Sequence, residues 1–534
     1  MAEPGAKVGL AIDGAKAVYD RLSNDRAPYI TRAEKNAQYT IPSLFPKESD
    51  NNSTEYATPY QSMGARGLNN MAAKMLLAIL PVGESMAKLD IDEYVLKSQG
   101  AQSGDKDIVQ KAALGLAMVE RIILRYTEAA GYRPKVSEMC KQLLVAGNVL
   151  WYMPPGETGA TLYKLQNFVV ERDSIGNVIQ TVVRDRIAYA ALPEDIKKAL
   201  PDAQDYEEDP TQQIEVYTHC YRDTESDQWL EYQEINGEVL ETTNTYPSDA
   251  SPWIPVRLFV MPGENYGRSF IEEYIGDLVS LENLSKAIVE FAIVASKVVF
   301  LVNPNSQTSV RKLAKSSNGD FIPGRLDDVQ VFQVQKYADF QVASQTAEKL
   351  ESRLSYAFLL NSAVQRNAER VTAEEIRYVS QELEATMGGV YSTLSIEWQY
   401  RVISRLLVEL AATEAIPELP EEALKPKIIT GLDAIGRGQD LNKLMTFQSV
   451  VGGIADKVSS RIDWDNFLLR AAQAAGIDTQ GLILSDAELQ QRQAQGAIAT
   501  AMQQGGAAAG ATMGQGLGAA SVNPQALQQA AAGG

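Results

Sequence analysis

Two short stretches hold the side chains best suited to binding chemistry in this 534-residue chain. Between 361 and 371 the order Asn-Ser-Ala-Val-Gln-Arg-Asn-Ala-Glu-Arg-Val supplies Asn361, Ser362, Gln365, Arg366, Asn367 and Arg370 against one acid, Glu369. The guanidinium groups of Arg366 and Arg370 can donate charge-assisted hydrogen bonds to phosphate oxygens. Asn and Gln amides can reach the same oxygens without adding charge. The plainer alternative is a solvated loop with an internal Arg–Glu pair. From Lys297 to Arg325, five basic residues stand against one acid. Of these, Arg311, Lys312, Lys315 and Arg325 could meet an acidic partner surface, lie near a polyanion, or simply be solvated.

The remaining residues are not arranged for catalysis, and no cofactor or metal is expected. No Gly-x4-Gly-Lys-Ser/Thr loop and no Gly-x-Ser-x-Gly elbow occurs. The single histidine, His219, excludes His-rich metal sites and leaves a Ser–His–Asp site a remote option. Its alternating surroundings predict a packed or surface-facing strand residue. Cys140 and Cys220 cannot make a disulfide scaffold, so a reducing compartment is expected.

Net charge is −19, and from Asp205 to Glu241 twelve acids accompany one arginine. A simple double-helix binder is basic, so any contact with nucleic acid must rest on local cations. The opening Met-Ala-Glu-Pro-Gly lacks the basic and apolar regions of a signal peptide. The apolar run 291–302 is interrupted by Lys297 and too short to span a bilayer. A soluble, cytoplasmic chain without membrane insertion is the expectation.

The elements that must position these residues are mixed. Residues 1–140 read mostly as helix: a short amphipathic stretch at Ala15–Leu22, then Ala65–Leu80, then Ile108–Tyr126, which stops at Gly131 with Pro134 beyond. Strand-like runs fill 148–260: Val149–Met153, Phe168–Glu171, Val178–Val183, Ile214–Tyr221, Trp229–Ile235 and Val256–Val260. Asn236-Gly237 supplies the turn of a hairpin. A long apolar stripe predicts one helix over Ser269–Ser296, about 42 Å long, with Ser269 capping its start. Val298–Val302, Phe321–Gly324 and Val329–Val334 are candidate strands, and helix returns over Phe340–Leu360. Thr372 and Glu375 form a capping box for a further helix. Gly388-Gly389 bends that helix, and Pro417 and Pro420 end it. Shorter helices are expected over Leu441–Ile454, Trp464–Ala475 and Asp486–Gln495. The Ala/Gly/Gln-rich tail, uncharged after Arg492, is expected to be flexible.

Several stretches together sharpen this pattern: RAPYITRAEKNAQYTIPSLFP (Arg26–Pro46), GARGLNNMAAKML (Gly64–Leu76), LLVAGNVLWYMP (Leu143–Pro154), YGRSFIEEYIGDLVSLENL (Tyr266–Leu284), NSAVQRNAERVTAEEIRYV (Asn361–Val379) and IITGLDAIGRGQDL (Ile428–Leu441). The chain resembles the head-to-tail connector, or portal, proteins of podovirus-type short-tailed phages that carry their own RNA polymerase, over about residues 10–490. The resemblance implies an α+β, mainly α, portal fold assembled as a ring. Its parts would be a wing (1–267, with the strand-rich insert at 148–260), stem helices at 268–296 and 339–360, and a clip at 297–338. A tunnel loop would follow at 361–371, then a long bent helix (372–427), a crown (428–490) and the tail (491–534). It further implies a non-enzymatic channel of about twelve subunits at one capsid vertex, through which DNA is packaged, retained and ejected. Asn361, Ser362, Gln365, Arg366, Asn367 and Arg370 would face the DNA; Arg311, Lys312, Lys315 and Arg325 would serve docking. Expected partners are the terminase motor, the tail adaptor, the major capsid protein, and the scaffold and internal core proteins. Assembly would occur in the host bacterial cytoplasm and the final location would be the virion. A structural adaptor or shell protein without a DNA channel is the alternative.

Overall fold

A computed structural model gives the fold. It describes residues 14–81 except 52, then 85–90, 106–192, 196–197, 209, 211–240, 244–296, 299–305, 308–332 except 324, 337–360, 378, 381–382, 385–387, 389–413, 416, 427–429, 444–449, 464, 467–468 and 471. The chain divides into two compact units, Met1–Gly436 and Arg437–Gly534.

The first unit opens with α1 (Ala15–Gln38) and α2 (Met63–Ile79). The predicted stretch at the start of α1 ended at Leu22, yet the helix runs on through Pro28. Proline normally breaks an interior turn. Here long-range bonds hold the helix in place. Arg26 donates to the carbonyls of Gln166 at 2.9 Å and Phe168 at 2.8 Å, and Asn36 donates to Val145 at 3.0 Å. Strand β1 (Lys88–Asp90), α3 (Lys106–Ala129) and α4 (Tyr132–Ala146) follow. Gly131, at φ +65°, ends α3 as expected, but Pro134 does not extend a break. It sits in the first turn of α4, where no amide donor is required. Gly147, at φ +73°, closes α4. A Cβ there would come within 2.6 Å of the Arg268 backbone, so glycine is required twice over.

The strand region makes two sheets. Strands β2 (Asn148–Tyr152), β3 (Thr161–Lys164) and β10 (Trp253–Arg257) form one, in the order β10-β2-β3. The other contains β4 (Phe168–Arg172), β5 (Val178–Ala188), β6 (Gln213–Asp223), β7 (Gln228–Ile235) and β8 (Glu238–Val239), with β9 (Asn244–Pro247) also on β7. The predicted hairpin is present: Asn236 and Gly237 take φ of +51° and +85° between paired Ile235 and Glu238. The last predicted strand lies earlier than Val256–Val260, because β10 begins at Trp253, where it pairs with Tyr152.

The long helix is α5 (Phe270–Ala295), within one residue of expectation at each end. Strands β11 (Val299–Val302) and β12 (Val329–Phe332) pair antiparallel around the short α6 (Val310–Ala314). Residues 321–323 are irregular rather than strand, and Phe321 is fully exposed, so no sheet partner covers it. Helix α7 (Tyr337–Ala357) returns. After Gly389, at φ +93°, come α8 (Val390–Leu394), a π-helical turn at Ser395–Tyr400 and α9 (Arg401–Ala412). Strand β13 (Lys427–Ile429) pairs with β1. The capping box at Thr372 and the helix over Asp486–Gln495 lie outside the described residues, as does the tail.

The main core centres on Trp151, whose ring meets Tyr132 at 5.3 Å and Trp398 at 5.2 Å, both edge to face. It joins α2, α3, α4, β2, β10 and the π turn into one apolar body. In the second unit residues 444–449 are helical, and Trp464 meets Phe467 edge to face at 5.7 Å.

Candidate functional site

Helices α5 and α7 form an antiparallel hairpin. Ser269 sets its start: the hydroxyl accepts the Glu272 N–H at 3.0 Å and a bond from Asn36 at 2.8 Å, tying the cap to α1. Glu272 and Glu273 stand at the positive end of the helix dipole. Phe358 packs on Phe270 and Tyr274 at one end of the pair, and Phe291 stacks on Phe340 at 5.2 Å near the other. An Arg353–Asp277 ion pair bridges the helices between them. Burial fades along α5: Phe270, Ile271, Leu278 and Leu281 are enclosed, whereas Val289, Ile293 and Val294 are 41–53% exposed. Phe300, Leu301 and Val342 are exposed as well. One copy of the chain leaves this apolar surface uncovered.

At the far end, Arg311, Lys312 and Lys315 line an open depression of about 480 Å³ together with Asp320 and Phe321. The structure therefore brings three of the four predicted docking cations together. Arg325 stands apart from that depression. Its amide donates to Asp328 at 3.2 Å, and Asp328 also accepts from Thr308 at 2.7 Å, which fixes the turn that leads into β12. Sequence reasoning missed Phe321 as an exposed member of this group, having assigned it to a strand. The candidates Asn361, Ser362, Gln365, Arg366, Asn367 and Arg370 lie outside the described residues.

The backbone on both sides of that segment is described, and α2 holds it. Asn70 donates to the carbonyls of Phe358 at 2.9 Å and Leu359 at 3.1 Å. Lys74, only 5% exposed, donates to Leu359 at 3.3 Å and pairs with Glu382 at 2.9 Å. One ammonium thus ties the chain just before residue 361 to the chain just after residue 377. Gly67 on the same helix makes room, since a Cβ there would come within 2.4 Å of the Phe358 ring. Further along, Tyr391 and Gln399 donate to the Ala78 and Ile79 carbonyls at 3.1 and 2.8 Å. The sequence carried a faint signal for this anchor: Asn70 and Lys74 are one turn apart on a helix whose other buried positions are apolar.

His219 is fully buried on β6 between Gln180 at 2.8 Å and Tyr232 at 3.0 Å, a packed strand residue. Burial, with the nearby Arg21 charge, lowers its pKa to about 3 and keeps it neutral. Burial pushes the Cys140 thiol up to about 12 and raises Cys220 as well, so neither is a ready thiolate. Among the described residues no group of His, Cys, Asp and Glu could hold a metal, and no helix is long and apolar enough to cross a membrane.

The described residues thus form a mixed helix-and-strand body that carries a long two-helix arm. The chain belongs to the bacteriophage head to tail connecting protein family, whose pattern matches residues 13–483. It is 51% identical to the portal protein of Escherichia phage T7 over 532 residues, covering 98% of each chain. Identity to the portal protein of Enterobacteria phage SP6 is 29%, over 90% of this chain and 92% of the relative. Among solved structures, the neck of an empty GTA particle matches at a TM-score of 0.33 and 11% identity, covering 73% of this chain and 85% of that one.

Proposed function

We propose that this chain is the portal subunit of a short-tailed phage, a structural protein that closes, in about twelve copies, into a channel at one capsid vertex. The relationship to portal proteins over 98% of the chain carries this reading. Helices α5 and α7 make the stem, and the exposed Val289, Ile293 and Val294 pack against neighbouring copies. Repeating heterologous contacts of this kind close a ring, and obligate interfaces bury apolar cores. Residues 297–338 form the clip, where Arg311, Lys312, Lys315 and Arg325 offer positive charge to the terminase motor and then to the tail adaptor. The body (1–267) is the wing, 428–490 the crown, and contacts with the major capsid, scaffold and internal core proteins fall on those parts.

Charge supports a division of labour in the channel. DNA carries one phosphate charge per ~1.7 Å of axis. A chain at −19 repels it and limits adhesion. The 361–371 segment, presented once per copy, adds rings of Arg366 and Arg370 that contact phosphates, with Asn361, Ser362, Gln365 and Asn367 as neutral donors. Supplying this chain in trans to a phage that lacks its own portal tests the role. DNA-filled, tailed particles are expected. Empty shells that carry the chain at the vertex yet package no DNA would contradict it.

A further inference from the structure

Away from the arm, the structure holds a second concentration of positive charge. A depression of about 240 Å³ opens between the β4–β5 turn, β10 and the π turn. Four arginines line it, Arg172, Arg222, Arg257 and Arg401, against a single acid, Glu397. Arg222 is neutralised by Asp227 at 2.6 Å. Arg257 and Arg172 lie against Glu397, and with Arg401 in the same lining, three arginines and one acid leave a surplus of two positive charges in a chain whose net charge is −19.

The inner part of this site is rigid. Arg257 makes a two-pronged contact with Glu397, its amide donating to one carboxylate oxygen at 2.8 Å and its Nε to the other at 2.9 Å. Arg172 lies 3.9 Å from the same carboxylate and donates instead to the carbonyls of Asn265, Gly176 and Pro255 at 2.9–3.2 Å. The side chains of Arg172 and Arg257 are only 4% and 6% exposed. Burial and the charges of Arg257 and Arg401 hold the Arg172 guanidinium down at about 10, so the cations are crowded. Gly176, at φ +99°, leaves the Arg257 guanidinium its space: a Cβ there would approach it to 3.3 Å. Arg401 is exposed and stands at the mouth. Glu397 and Arg401 are set by the π turn Ser395–Tyr400, a distortion that recurs at functional sites.

We propose that this pocket binds a phosphate group, with Arg401 as the residue that closes on it and Arg172 and Arg257 as the fixed charge behind. A surplus of two charges matches a phosphate dianion better than a single carboxylate, and guanidinium forks suit its oxygens. The guest is either free phosphate or a phosphate of a nucleic-acid backbone. The site is independent of the channel reading and stands or falls without it.

Thermal unfolding and calorimetry on the full chain test it, with inorganic phosphate against chloride at matched ionic strength. A saturable rise in melting temperature is expected with phosphate alone. Arg401→Ala should fold normally in chloride, because its side chain is on the surface, and bind phosphate about tenfold or more weakly. Arg222→Ala, which removes an already neutralised cation, should bind nearly as the wild type does. A short DNA duplex is the second arm. Duplex binding that falls with Arg401→Ala and competes with phosphate assigns the guest to a nucleic-acid backbone, and phosphate binding without competition assigns it to the free ion. No saturable phosphate effect, or equal phosphate binding by wild type and Arg401→Ala, overturns the proposal.

Discussion

Replacing Lys74 by Met removes the ammonium that joins the two ends of the 361–377 stretch while keeping most of the side-chain volume. With it go, among the described residues, the ion pair to Glu382 at 2.9 Å and the charged hydrogen bond to Leu359 at 3.3 Å. A charged hydrogen bond contributes about 1.5–3 kcal/mol, and breaking a fully buried pair costs about 3–5 kcal/mol because the partner is left uncompensated. Glu382 keeps 19% of its side chain exposed and can rehydrate in part, so the net loss should be about 2–4 kcal/mol. Glu382→Gln keeps an acceptor for Lys74 and should cost less, on the order of 1 kcal/mol. Urea unfolding followed by tryptophan fluorescence reads the effect, since Trp151 and Trp398 lie in the core that α2 helps to build. The double variant should lose less than the sum of the singles, by about 1 kcal/mol or more. In particles, Lys74→Met should reduce DNA retention beyond any loss of portal content per head. Wild-type stability in Lys74→Met, or strict additivity in the double variant, would refute the anchor.

Four further outcomes are expected. Arg366→Ala should package DNA but retain less of it in filled heads, measured as the protected genome fraction per particle; unchanged retention would count against a grip on phosphates. Charge reversal at Arg311 and Lys312 should leave assembly intact and abolish tail attachment, read by counting tailed particles in micrographs. Ser269→Ala should destabilise α5 by about 1 kcal/mol, seen as a lower urea midpoint. The folded-state pKa of His219, about 3, lies below its ordinary value of 6.5. Stability from keeping it neutral is therefore full above about pH 6.5 and declines as pH falls toward 3. By pH 5 the loss should reach about 2 kcal/mol, and His219→Phe should flatten that part of the urea-midpoint profile.

Much of the fold can be read directly along the chain where a local cause sets it. The apolar repeat of α5, its Ser269 cap and the Asn236-Gly237 turn are decided by neighbours a few residues away. Elements decided at long range were not legible. Strands β1 and β13 are three residues each and exist because they pair across more than three hundred positions. Helix α1 survives Pro28 through bonds from Arg26 and Asn36 to distant carbonyls. The π turn keeps the apolar rhythm of a helix, so Ser395–Tyr400 looks ordinary in sequence. The same division holds for the sites. Arg311, Lys312 and Lys315 are close in sequence and meet in space, whereas Arg325 answers to a local turn. Lys74, Leu359 and Glu382, like Arg172, Arg257 and Arg401, come from separate segments, and only the packed structure brings each group together.

The most direct measurement is an electron-microscopic average of the assembled protein viewed down its axis, from purified material and at the vertex of phage heads. A closed annulus of about twelve copies around an open hole is expected, with the paired α5 and α7 helices nearest the axis below the body. Single compact copies under every assembly condition, and a vertex without an annulus, would contradict the channel.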